Sequence, residues 1–148
     1  MNAHTRPGEP APTSNSYRGS VALNLIGGEW IEGEGTVKNI NPSDTNDVIG
    51  EYAQASERQT ADACEAAVAA FPYWSGQTAQ YRADVLDAIG SRILAEHEEL
   101  GTLLAREEGK PVREAVGEAK RAGQIFKFFS GEALRLGGEV MPRLRARR

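Results

Sequence analysis

Two hydrophobic periods divide the sequence. In the first part, "VALNLIGGEWIEGEG" places Leu23 and Leu25 before a Gly27-Gly28 step, with Trp30 and Ile31 after it. A Gly-Gly pair supplies the positive φ angles of a tight hairpin. The segment "TVKNINPSDTNDVIGEY" then gives a short run to Ile40, a turn at Asn41-Pro42-Ser43-Asp44, and a second run around Val48, Ile49 and Tyr52. Pro42 biases Asn41 toward an extended conformation and cannot donate to a ladder, so the first run should end there. The pattern predicts a small antiparallel β element, too thin to form a domain alone.

From Ser56 the period lengthens to that of a helix. "SERQ" is a capping-box pattern, with Ser56 as N-cap and Gln59 three residues on. Ala61, Cys64, Val68 and Phe71 fall on one face, and Pro72 is expected to stop the helix, leaving Tyr73 and Trp74 as anchors in the turn. A second helix is expected from about Ala79 to Ala95 on a stripe of Val85, Leu86, Ile89, Ile93 and Leu94. A third carries Leu100, Leu103 and Leu104 and ends at Gly109, a suitable C-cap residue. Pro111 suits the first turn of a fourth, which presents Val112, Ala115, Val116, Ala119, Ala122, Gly123 and Phe126. It reaches Phe129 and Ala133 before Gly137-Gly138 end it. The fold class expected is therefore α/β, a β element followed by about four helices, with no internal repeat.

Composition changes this picture little. The 148 residues suffice for one domain with a core, and a net charge of −4 with 26% charged residues describes an ordinary globular chain, with no general basic face for nucleic acid. A single cysteine, Cys64, excludes an internal disulfide and fits a reducing compartment. The first 20 residues, rich in Pro, Ser and Asn, read as a disordered arm without the apolar core of a signal peptide. No apolar run approaches the roughly 20 residues needed to span a bilayer. A cytoplasmic protein is the expectation.

The chemical candidates fail one by one. "AREEGKPVREAVGEAKRAG" contains a Gly-Lys step before a helix, but Leu104 stands where a phosphate loop needs its first glycine and Pro111 where it needs a hydroxyl. Glu107 and Glu108 are helical neighbours pointing about 100° apart, so a solvated face is expected rather than a shared proton. His97 opens a sequence like the zinc motif H-E-x-x-H but lacks the second histidine, and His4 lies in the arm. Cys64, mid-helix among alanines, has no basic group in sequence reach to activate it and reads as a buried packing residue. No G-x-G-x-x-G turn occurs, so no dinucleotide loop can be proposed.

The order of landmarks, "LNLIGGEWI", "NINPSDTNDVIGEYAQAS", "AAVAAFPYW" and the run from "RADVLDAIGSRILAEHEEL" through "REEGKPVREAVGEAKRAGQIFKFFSGEALRLGGEVMP", resembles the N-terminal part of the NAD(P)-dependent aldehyde dehydrogenase superfamily. The resemblance covers roughly Leu23 to Pro142. The wording of the last run is similar to that of α-ketoglutarate semialdehyde (2,5-dioxopentanoate) dehydrogenases. It implies an enzyme in which a cysteine thiolate attacks an aldehyde, hydride passes to NAD or NADP, and water releases the acid. The family's nucleophile, base and cofactor-binding residues match nothing in this chain, so no catalytic, cofactor-binding or metal residue is assigned, and the Rossmann core is absent.

The resemblance further implies that the helix beginning near Lys110 borders the aldehyde channel. Gly117, Arg121 and Gln124 share one face of it, and Arg121 is expected to attract the distant carboxylate of an anionic semialdehyde. A surface arginine paired with Glu118 or Glu114 is the alternative. Three segments are thus expected: a disordered arm over 1–20, an incomplete dehydrogenase portion over 21–142, and an aberrant basic tail over 143–148 that points to an interrupted reading frame. The chain alone is expected to be inactive and to bind no cofactor, although full-length relatives are homo-oligomers acting on small aldehydes, with neither nucleic acid nor membrane as partner. The other functional reading is a helical docking module, or a subunit of a separately encoded dehydrogenase.

Overall fold

A computed structural model of the chain describes residues 17–18 and 21–137. The rest of the expected arm, Gly138 and the basic segment lie outside the described residues. The chain divides into two units, one containing residues up to Ser75 together with Arg106–Lys110, the other Gly76–Ala105 and the residues from Pro111.

The first unit carries β1 (Tyr17–Arg18), β2 (Val21–Ala22), β3 (Asn24–Ile26), β4 (Glu29–Ile31), β5 (Gly35–Ile40), β6 (Val48–Gln54) and α1 (Glu57–Ser75). Strand β1 thus falls within the stretch read from composition as an arm. A four-stranded sheet runs in the order β1-β2-β6-β5, and β3 pairs with β4 as a separate hairpin. Gly27 and Gly28 make the hairpin turn at φ 61° and 90°, as the Gly-Gly step predicts. The β5–β6 pairing is antiparallel, but β2 joins β6 in parallel through Val21↔Glu51 and Ala22↔Tyr52, which alternation of apolar residues cannot foretell.

Helix α1 opens on the expected capping box. The Ser56 amide donates to Gln59 Oε1 at 2.9 Å and the Gln59 amide donates to Ser56 Oγ at 3.1 Å. Gln59 also donates to the Glu32 carbonyl at 2.6 Å, tying the helix start to the segment after β4. Two expectations for α1 fail. Pro72 lies inside the helix, which continues to Ser75. Proline removes one N–H bond to the carbonyl four residues back, and on an exposed last turn water can meet that carbonyl, so the helix need not stop. Cys64 is exposed rather than buried, as are Val68 (73%) and Phe71 (65%) on the same face. The side of α1 that approaches β3 is instead the one bearing Ala66.

The second unit holds α2 (Ala79–Ala95), α3 (His97–Glu108, whose last turn belongs to the first unit) and α4 (Val112–Ala133). Thr78 caps α2, its hydroxyl accepting from the Tyr81 amide at 3.1 Å. The extensive pairing of α2 with α4 rests on small residues. Ala83 and Gly90 of α2 are buried, as are Ala115, Ala119, Gly123 and Ala133 of α4 and Gly101 and Ala105 of α3. A Cβ at Gly123 would fall 2.7 Å from Leu94 Cγ, and one at Gly90 would fall 3.0 Å from the Gly123 carbonyl, so the backbones cross in near contact. Lys127 of α4 closes the other side, donating to Asp87 at 2.7 Å and Ser91 at 2.5 Å. The larger residues of the expected α2 stripe, Val85, Leu86, Ile93 and Leu94, are half-buried, while Ile89 is exposed. Helix α4 stops at Ala133, with Leu134 as C-cap, four residues before the expected Gly137.

Candidate functional site

Within the second unit, α4 forms an open recess of about 320 Å³ lined by Arg121, Gln124, Ile125, Phe128 and Phe129. Their spacing puts one cationic head and one carboxamide at the N-terminal end of a predominantly apolar wall. Phe128 and Phe129 meet edge to face, ring centroids 5.3 Å apart and planes at 89°. Both remain exposed, at 60% and 54%. Two of the three residues singled out from sequence, Arg121 and Gln124, therefore share this recess. Gly117 lies one turn earlier and outside its lining, and a Cβ built there would meet nothing within 4 Å.

Sequence reasoning missed the apolar half of the recess. Ile125 and Phe128 continue the Arg121 face at i+4 and i+7, a signal that was present but passed over because the reading followed the face of Ala115, Ala119, Gly123 and Phe126.

A second constellation, in the first unit, was also missed. Arg106, in the last turn of α3, donates to Asp47 through Nε at 2.9 Å and Nη2 at 2.6 Å, a bidentate pair bridging 59 residues of chain. Asn41 donates to the same carboxylate at 3.1 Å. The Arg106 bond and then the Asn41 bond hold the Asp47 carboxyl down at about 2. Beside it, Asn39 donates to Glu107 at 2.7 Å, and Ser43 Oγ donates to the Gly109 carbonyl at 3.0 Å. Glu108 pairs with Lys110 at 2.5 Å. The adjacent glutamates, both exposed as expected, thus take separate partners rather than sharing a proton. Gly109 turns at φ 69°, and a Cβ there would collide with Ser43 Oγ at 2.7 Å and Pro42 Cγ at 2.9 Å.

Neither constellation is a catalytic set. The one thiol is on exposed α1, and His97 has Nδ1 engaged with the Leu94 carbonyl at 2.7 Å. Among the described residues no group of three metal-ligating side chains converges, and no helix is long and apolar enough to cross a membrane. Among the described residues Gly109-Lys110-Pro111 is a tight turn rather than a phosphate loop, with Gly109 at φ 69° and its carbonyl accepting from Ser43 Oγ.

Comparison with known proteins decides what this scaffold is part of. The model of the aldehyde dehydrogenase family matches residues 30–148. The chain belongs to the aldehyde dehydrogenase family. Its relatives include the mitochondrial succinate-semialdehyde dehydrogenase of Arabidopsis thaliana, 36% identical over 120 residues, which make up 80% of this chain and 22% of that one. The α-ketoglutarate semialdehyde dehydrogenase of Haloferax volcanii is 37% identical over 117 residues, or 78% of this chain and 24% of the relative. Among solved structures, an aldehyde dehydrogenase from Brucella melitensis biovar abortus superposes with a TM-score of 0.78 at 31% identity, covering 83% of this chain and 26% of the other. A betaine aldehyde dehydrogenase from Staphylococcus aureus in complex with NAD+ gives 0.76 at 30% identity, covering 82% and 25%. This aldehyde dehydrogenase chain therefore spans about a quarter of the length of the curated relatives it matches.

Proposed function

We propose that this chain is the N-terminal scaffold portion of an NAD(P)-dependent aldehyde dehydrogenase that oxidises an anionic semialdehyde to a dicarboxylic acid, and that by itself it neither binds the nicotinamide nor turns over substrate. The observation that carries the substrate class is the α4 recess, where Arg121 heads an apolar wall of Ile125, Phe128 and Phe129. A semialdehyde of this type has a short carbon chain ending in a carboxylate, and a guanidinium fork beside apolar surface complements both parts. The semialdehyde dehydrogenases among its relatives support the same reading. Inactivity in isolation is supported by the exposed, unassisted Cys64 and by the lack of a phosphate cradle among the described residues. In an intact family member a bound nicotinamide would supply the hydride acceptor, and the part assigned to this chain is substrate positioning by Arg121.

The test is a fusion of this chain to the remaining three quarters of the Haloferax volcanii relative. Arg121→Ala should lower kcat/KM for succinic semialdehyde by about 10- to 100-fold, through KM, with a neutral aldehyde of equal length little changed. An unaltered preference for the acidic substrate would remove Arg121 from the proposal. The isolated chain should produce no NADH with either aldehyde.

A second reading, favoured by the exposed Val68, Phe71, Tyr73 and Trp74 on α1, is a docking subunit for a separately encoded dehydrogenase. Stable co-purification with a catalytic chain, and activity only in the complex, would distinguish it.

A further inference from the structure

The connection between β5 and β6 is a self-organised loop. Its backbone makes two consecutive turns, Asp44 N–H to the Asn41 carbonyl at 3.2 Å and Asp47 N–H to the Asp44 carbonyl at 2.8 Å. Asn41 N–H closes the whole loop on the Asp47 carbonyl at 3.0 Å. Asn41 and Asp44 side chains accept from the Ser43 and Asn46 amides at 2.9 and 3.1 Å. A loop tied in this way moves as a body. Opposite it stands the last turn of α3 and the Gly109 turn, and side chains from 39, 43 and 47 reach 107, 109 and 106 in order.

Little apolar burial assists this contact. Ile40 and Val48, at the ends of the flanking strands, are 44% and 46% exposed. The polar bonds must therefore offset the entropy of joining segments about sixty residues apart in the chain, and no single one suffices. Contacts of that kind form together or not at all. We propose that residues 39–47 and 106–110 form a latch that opens and closes as one cooperative unit, with the Asp47–Arg106 pair holding it shut. The latch rests on contacts within the first unit and is independent of any role for Arg121. Open, it releases the last turn of α3 and the Gly109-Lys110 turn; closed, it fixes where α3 ends.

Site-resolved amide hydrogen exchange on the full chain tests this. Asp47→Ala should raise exchange of the Asn41, Asp44 and Asp47 amides and of the 107–110 amides by one common factor, about threefold or more, with α2 amides unchanged. Arg106→Ala should give the same pattern, and the double variant should exchange no faster than either single one. Asp47→Asn, which keeps the side-chain volume, should give the same pattern at smaller amplitude. Faster exchange confined to residues 41–47, additive effects, an equal rise across α2, or unprotected 107–110 amides in the unaltered chain would each overturn the latch.

Discussion

At the scale of single residues, Asp47 and Gly109 carry the sharpest consequences. The Asp47 carboxyl titrates near 2 because Arg106, then Asn41, stabilise its ionised form. In the unfolded chain it titrates near the ordinary value of about 3.9. The folded group is the stronger acid, so its contribution to stability is complete above roughly pH 4 and is lost as pH falls through about 2. Carbon NMR of the Asp47 carboxyl should place its midpoint near 2, and Arg106→Ala should return it toward the normal range; a normal midpoint in the unaltered chain would contradict the bidentate geometry. Gly109 sits at φ 69° with its α-hydrogen facing Ser43 and Pro42. Gly109→Ala is expected to cost about 1–3 kcal/mol, the sum of left-handed backbone strain and a forced retreat of Ser43, read as a lower urea midpoint. The sequence alone marked Gly109 as a helix terminator, since glycine at that place has a local cause. It gave no sign of Asp47–Arg106, because a pairing across 59 residues leaves no local periodicity.

Among the elements, the α2–α4 pair was legible in its limits and misjudged in its filling. Thr78 and the apolar spacing place α2 at Ala79–Ala95, as read from sequence. The reading gave α2 a stripe of large residues, whereas its buried residues are Ala83 and Gly90; on α4 it named Ala115, Ala119 and Gly123, which are buried, and the backbones cross at Gly90 and Gly123. Large apolar residues signal that a face needs covering; small ones decide where two helices can touch. Gly123→Leu should therefore be severe, about 3 kcal/mol or more by overpacking against Leu94 and the Gly90 carbonyl, while Gly117→Ala, facing open space, should be neutral or slightly stabilising. Circular dichroism during urea titration separates the two. Equal responses would mean that the helices do not cross at Gly123.

For the whole molecule, the decisive fact is how little large apolar surface finds cover. Among the described residues no large side chain is fully buried, while Val68, Phe71, Tyr73, Phe128 and Phe129 are all more than half exposed. Of the stripe Cys64–Val68–Phe71 only Cys64 was read as buried, and it is exposed with the others, because periodicity reports a need for a partner and not where the partner lies. In relatives more than three times as long there is ample chain to supply such partners. Two outcomes follow for the isolated chain. It should bind a hydrophobic dye such as ANS strongly and self-associate as concentration rises, since apolar patches of this kind drive association. Its urea m-value should also fall below that of an autonomous domain of similar length, because little of its apolar surface is removed from water on folding. Adding the remaining three quarters of a family member as a separate polypeptide should suppress the dye signal and raise the urea midpoint together, whereas Phe128→Ser with Phe71→Ser should suppress the dye signal without that partner. A monomeric chain that ignores the dye and unfolds with the m-value of a complete domain of its length would mean that these faces are already covered within it.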